Sequence, residues 1–461
     1  MLTKLQEDTS HAKLLAQVKI SIRRATEAQR SARSRYWCRR IAAFSMLICS
    51  LASLDSIRAQ EPNRSVLEPV RSSTSRSEYI GFRPPTQTPL ISFGPFQGSA
   101  AVSLGFDYTD NANLNSTSND NGNGKESRFR IIESLDLDLG WVISSLNRVS
   151  IRIGGSLSQD LLGNEGNQQN LSLAPDSEIR LQLQISNLRL QVYDQFSYVN
   201  DPVSDASTSN QTNLNRFTNI GGVRADWDLN FTIFSVFLDD TYSTDSGSGN
   251  ANGNSNGNRN SYRLGSSFTF NLTPTILYGI EGTATYSEGT LNDGTDGEVK
   301  SLNVGPFVRA HLTRLIDLDL AAGVSFIQAK DVPPVGYYVA ATVRHQINRN
   351  WQYFLTFTHD TAFSSGIDIS EENFLELGTQ YQLTRFIGLT GGPFLTYGKN
   401  QNGLQSQRGN FSQYGVDVRL GYSLNKHTSV SVGYRYVRRT SDVPEDSYLQ
   451  NTVNFQISYV F

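Results

Sequence analysis

Charged side chains recur at every second position through much of the chain. Arg128 and Arg130, Asp136 and Asp138, Arg224 and Asp226, Asp317 and Asp319, and Asp417 and Arg419 are couples of this kind, each split by one apolar residue. In a strand this spacing puts both charges of a couple on one face. Groups of both signs on a shared wet face could hold a field across water and discriminate among ions and hydrated solutes. The plainer reading of any single charge is that it pairs with a neighbour in a wet interior. Other chemistry finds little support. His311, His345, His359 and His427 have no metal-ligand spacing, and neither a G-x-S-x-G elbow nor a P-loop occurs. His359 and Asp360 are adjacent, so in a strand they point to opposite faces. Neither catalysis, a cofactor nor a metal is expected.

The elements that must position these charges are strands with one greasy face. From Gln97 onward, eighteen alternating segments follow one another, at 100–108, 129–141, 149–157, 179–185, 188–198, 217–227, 232–242, 262–272 and 276–286, then at 302–312, 316–326, 337–347, 351–363, 375–383, 387–397, 414–424, 430–436 and 449–461. Period-2 alternation of this length reads as half-buried strand. Short links, such as Ser186-Asn187 and Thr273-Pro274, alternate with long polar ones, such as 109–127, 200–213 and 399–410. The Asn/Gly/Ser stretch 243–260 reads as another solvated external loop. The chain is only 38% apolar, with 37 Gly and a mean hydropathy of −0.37, and no run of about 18 apolar residues could form a spanning helix.

A barrel whose apolar phase meets lipid fits such a composition, because only alternate residues need be apolar. The expected fold is therefore all-β: a transmembrane antiparallel up-and-down barrel of about 18 strands. Sixteen is the alternative, if two weak strands such as the first and the seventh stay out of the wall. The phase opposite the apolar residues would face inward. It holds Arg128, Arg130, Arg152, Arg180, Arg189, Arg216, Arg224, Arg309, Arg344, Arg419 and Arg435, balanced by Asp107, Asp136, Asp138, Glu178, Asp226, Asp239, Glu281, Asp317, Asp319, Glu376 and Asp417. Eleven of each sign make a nearly neutral wall around a lumen that eighteen strands leave wide enough for water.

Trp141, Trp227 and Trp351 all fall in the apolar phase beside a short link, where a membrane-water interface would place tryptophan. With Tyr459 they would form a lower aromatic girdle, and Tyr108, Tyr198, Tyr242, Tyr262, Tyr286, Tyr397 and Tyr436 an upper one. Glu133, Asp194 and Asp240 also fall in the apolar phase, where lipid penalises charge. Either a bulge turns them inward or the register differs there.

The first sixty residues have another character. Residues 1–40 are basic, and Ile41 to Leu54 is an uncharged apolar run ending at Asp55, the layout of a secretory signal with cleavage boxes at 50–52 or 57–59. A single-helix anchor is a second reading, against which fourteen residues are short. A lipoprotein box at Met46–Cys49 and a twin-arginine signal at Arg39-Arg40 match less well. Residues 1–59 are thus expected to be a leader, 60–96 a Pro-rich periplasmic linker and 97–461 the barrel. Both cysteines, Cys38 and Cys49, lie in the leader, so the barrel region has none to pair. Eleven of the 40 basic and four of the 43 acidic residues precede position 60, leaving −10 on the rest, which disfavours nucleic acid as a partner.

The final stretch, LQNTVNFQISYVF, alternates from Leu449 to a terminal Phe461. It resembles the last strand of bacterial outer-membrane β-barrel proteins, and the resemblance implies that Tyr459 and Phe461 are read by the barrel-insertion machinery. GPFVRAHLTRLIDLDLAAG at 305–323 and YGVDVRLGYSLNKHTSVSVGYRY at 414–436 are similar to a beta-barrel porin family in which some members are associated with surface-polysaccharide production. The resemblance implies residence in outer-membrane lipid and a channel for small hydrophilic solutes or an exported polysaccharide. A non-conducting barrel whose acidic external loops bind a surface partner is the alternative, and a soluble secreted β-protein is a third reading.

Overall fold

The protein is described from a computed structural model. The structure describes residues 91–112, 114, 125–162, 169–200, 211–249, 254–290, 296–329, 333–363, 369–400, 410–442 and 447–461. The expected leader at 1–59 and most of the expected linker lie outside the described residues.

Twenty strands run in chain order: β1 (Ile91–Phe93), β2 (Phe96–Thr109), β3 (Arg128–Val142), β4 (Arg148–Leu162), β5 (Gln169–Leu173), β6 (Glu178–Ile185) and β7 (Leu188–Asn200). β8 (Gln211–Asp228), β9 (Thr232–Gly249), β10 (Asn254–Thr273), β11 (Ile276–Thr290), β12 (Asp296–His311), β13 (Ile316–Gln328) and β14 (Val335–Asn348) follow. β15 (Trp351–Phe363), β16 (Ile369–Gln382), β17 (Ile387–Asn400), β18 (Asn410–Ser423), β19 (Thr428–Ser441) and β20 (Tyr448–Val460) complete the set. Apart from β5 and β6, each pairs antiparallel with its sequence neighbour, and β2 pairs with β20 from Ala101↔Val460 to Thr109↔Thr452. That last pairing closes the sheet, and closure leaves no long edge of unpaired backbone in lipid.

β5 and β6 share one place in the wall, both lying between β4 and β7. β1 is a three-residue hairpin arm that takes the edge of β2 beyond the end of β20. The wall therefore has eighteen strands. The sixteen-strand alternative fails, because the first and seventh sequence segments are β2 and β9, both fully paired on two sides.

Three local features depart from the sequence reading. Residues 91–93 and 96, expected in the linker, are in strands, with Gly94 at φ 57° making the turn between them. The stretch 243–260, expected as a loop, is mostly ladder, since β9 and β10 stay paired out to Ser248↔Asn254. An antiparallel hairpin can run past the membrane wherever nothing interrupts its register. β5 escapes the alternation count because Pro175, which has no N–H to give a ladder, splits it from β6. Residues 174–177 stand opposite only Ile153 and Gly154, and the bulge is closed by the Ala174 N–H donating to Gly154 O (2.8 Å) and by Ser177 Oγ at the Gly154 backbone.

The greasy phase faces out. Val418 and Ile457 are each 38% exposed and Leu264 52%, although all three sit in mid-strand. Such a contiguous apolar exterior needs an apolar solvent.

Candidate functional site: the lumen wall

Because side chains alternate along every strand, the register fixes which residues share the inner face. Cross-strand partners Asp107 and Arg130, Asp138 and Arg152, Asp239 and Arg263, Arg309 and Asp319, Asp317 and Arg344, and Asp417 and Arg435 all lie on it. Direct opposition of unlike charges is the favourable arrangement on a sheet. Arg130 Nη2 donates to Asp107 Oδ2 at 3.0 Å, with both side chains buried. Arg152 reaches Asp138 at 3.2 Å and Asp176, delivered by the Pro175 bulge, at 3.9 Å. Arg180 donates to Glu178 at 2.9 Å, and Glu178 also accepts from Gln195. Asp319 is shared by Arg309 (3.3 Å) and Arg344 (3.0 Å). On β8, Arg224 Nε donates to Asp226 at 3.1 Å. Asp239, 1% exposed, accepts from Arg263 at 2.5 Å and from the Tyr193 hydroxyl.

Arg128, Arg189, Arg419 and Arg435 lie in the same inner phase, on β3, β7, β18 and β19. Arg189 Nε faces Gln184 Oε1 at 3.5 Å, and Arg435 sits 5.9 Å from the Phe394 ring centroid. The inward set expected from the alternation omitted Arg263, Arg439, Asp176, Asp360 and Glu372. Arg263 was legible in the alternation. Arg439 and Glu372 lie beyond the segment ends drawn at Tyr436 and Leu375, on parts of β19 and β16 that continue past the apolar alternation.

The two signs are not mixed evenly round the wall. On β11 to β16, inward Glu281, Asp317, Asp319, Asp360, Glu372 and Glu376 share the wall with Arg309, Arg344 and His311, whose Nδ1 lies 2.6 Å from Asp317. Further round the wall, β18 and β19, two and three strands on from β16, and β2 and β3 beyond β20 carry Arg419, Arg435, Arg439, Arg128 and Arg130 with Asp417, Asp107, Asp136 and Asp138.

Aromatic rings also enter the lumen, and the alternation alone does not account for them. Tyr193, Phe237, Phe307, Tyr338, Phe354 and Phe394 each stand opposite an inward glycine: Gly222, Gly265, Gly279, Gly323, Gly378 and Gly415 respectively. A Cβ on any of these glycines would collide with the partner's ring, so each ring occupies space that only glycine leaves free.

The outer face carries the remaining residues of interest. Trp141, Trp227, Trp351 and Tyr459 are 41–51% exposed beside the short turns. Trp141 stacks on Phe96 at 5.8 Å, and Tyr459 meets Phe461 edge-on at 4.8 Å. The Phe461 N–H donates to Ala100 O at 2.8 Å, which seats the chain end against β2. Glu133, Asp194 and Asp240 are not turned inward. The register shift beside them falls at Phe129/Arg130, and Glu133 lies exposed between Leu104 and Leu157. Asp194 accepts from Asn219 at 2.5 Å, and Asp240 stands between Gly221 and Tyr262. A satisfied hydrogen bond is one way such a group persists on an apolar face.

This wall, apolar outside and charged inside, with short turns at one end and long hairpins at the other, is that of a bacterial outer-membrane barrel. No family model matches the chain, and no curated protein matches it. Among solved structures it resembles Acinetobacter baumannii OccAB3, at 10% identity over 79% of this chain and 99% of that one with a TM-score of 0.44. It likewise resembles Pseudomonas aeruginosa OccK5 (10% identity, 79% and 98% covered, TM-score 0.42) and the siderophore receptor PirA from Pseudomonas aeruginosa (9%, 79% and 80%, TM-score 0.41). At these scores the membrane assignment rests on the wall itself.

Proposed function

We propose that the protein is a porin-like channel that passes hydrophilic solutes, or an exported polysaccharide, through a charged aqueous lumen. The observation that carries this reading is the inner wall itself, where ion-paired groups such as Arg152 with Asp138 and Arg309 and Arg344 with Asp319 keep 26–51% of their side chains exposed behind an apolar outer face. Ionic groups left partly exposed need water and hold a local field in the bore, which favours solutes that carry their own dipoles or charges over apolar ones. Trp141, Trp227, Trp351 and Tyr459 would hold the barrel at the lower interface. Tyr459 and Phe461 would present the closing strand to the insertion machinery.

The test is swelling of liposomes that contain the refolded barrel, using neutral sugars of graded size, alongside planar-bilayer recording. A porin gives swelling that declines with solute size, together with stepwise ionic currents. A folded, heat-modifiable barrel that gives neither would support the non-conducting alternative instead.

A further inference from the structure

Apolar rings on the wall of a water-filled lumen have no core to join, so their presence and pose ask for another reason. The pose repeats. Four times, three neighbouring strands carry a charged residue, an aromatic ring and a glycine in one cross-strand row on the inner face. The rows are Arg344, Phe354 and Gly378; Glu376, Phe394 and Gly415; Arg224, Phe237 and Gly265; and Arg180, Tyr193 and Gly222. In each row the ring lies where a Cβ on the glycine would strike it, and Arg180, Arg263 and Arg435 sit 5.9, 5.0 and 5.9 Å from the Tyr193, Phe237 and Phe394 ring centroids. Each ring is thus packed over a neighbour's backbone, with an ionic hydrogen-bonding residue beside it in the row. Tyr338 takes the same pose over Gly323, and its hydroxyl donates to Glu281 at 3.3 Å.

The rows also succeed one another. Phe354 stands opposite Gly378 and Phe394 opposite Glu376, two residues further along β16, with Phe374 two residues beyond that. Same-face steps of two residues are about 6.7 Å each. The upper part of this stripe is covered: Phe374 is 1% exposed, and Leu114 packs with Val437 and Tyr448 against Phe394. Phe354, Phe237 and Tyr338 are only half-buried.

We propose that these rows are sugar-stacking subsites, and that the lumen's ligand is a carbohydrate whose pyranose rings pass over them. A pyranose has an apolar face of C–H bonds and a rim of hydroxyls. A flat ring edged by Arg344, Glu376 or Arg224 matches both at once. A smaller aliphatic side chain would fill the space over glycine equally well but would offer no face. The inference rests on the open-lumen reading above.

The experiment is single-channel recording of the full barrel with maltohexaose, a neutral probe, and separately with an oligogalacturonate, an acidic one. Millimolar sugar is expected to interrupt the current transiently. Phe354→Leu and Tyr338→Leu should each shorten the interruptions at least fivefold, whereas Phe354→Tyr, which keeps the face, should leave them within twofold. Heat-modifiable gel mobility establishes that each variant is folded. Interruption by the acidic probe alone supports the proposal and assigns an anionic sugar. Steady current without interruption by either probe, or interruptions untouched in both leucine variants, overturns it while leaving the pore intact. A folded barrel with no current overturns the pore reading and this one together.

Discussion

Leu264 and Ser267 lie three residues apart on β10 and face opposite sides of the wall, so placing arginine at each isolates the effect of the face. Leu264 is 52% exposed, flanked by Leu238 on β9 and Ala284 on β11, with Tyr262 and Phe268 on the same face above and below. An arginine in the middle of a lipid-facing belt costs about 2–4 kcal/mol, which is roughly a 30- to 700-fold shift in the folding equilibrium. Ser267 stands between Ser235 and Glu281 on the inner face, so Ser267→Arg meets water and an opposing carboxylate. It should insert at wild-type stability, within about 0.5 kcal/mol. Denaturant titrations of folding into phosphatidylcholine vesicles, followed by tryptophan fluorescence, read both values, since Trp141, Trp227 and Trp351 sit on the outer face. Equal losses for the two variants, or a larger loss for Ser267→Arg, would refute the face assignment.

Arg130→Met removes one partner from the buried Asp107 pair and should destabilise the barrel by about 3–5 kcal/mol in the same titration. Adding Asp107→Leu should recover most of that loss. Asp319→Asn removes the carboxylate shared by Arg309 and Arg344, so the reversal potential in a salt gradient should move toward anion preference. Deleting Phe461 removes one backbone hydrogen bond, to Ala100, and should cost about 1 kcal/mol in vesicles. The same deletion should sharply reduce assembly in cells, and unchanged assembly would remove Phe461 from the insertion role.

The wall was legible because a closed barrel imposes one rule on every strand. Each of the eighteen alternating segments overlaps a wall strand, and the apolar phase of Leu264, Val418 and Ile457 is the outer one. Strand ends were less legible, because alternation stops where lipid stops while backbone pairing continues. β9 and β10 therefore run on through Asn, Gly and Ser that carry no apolar phase. β5 was hidden by Pro175, whose bulge looks in sequence like the end of a strand. Lone charges in the outer phase, such as Glu133, were expected to be turned inward by a bulge or to mark a different register, yet Glu133 keeps the outer phase between Leu104 and Leu157 although the ladder shifts nearby at Phe129/Arg130. Least legible were the rings over glycines. A glycine's role depends on its partner across the ladder, and pairing register cannot be counted along one strand.

Cysteine placed singly at Ser267 or at Leu264 offers the most direct measurement, because the only native cysteines, Cys38 and Cys49, lie well before β1. A charged, water-soluble thiol reagent added during single-channel recording should lower the current in steps for Ser267→Cys and leave Leu264→Cys unchanged. A current that responds only at Leu264→Cys, or a folded barrel that passes none, would contradict a water-filled lumen lined by the inner phase.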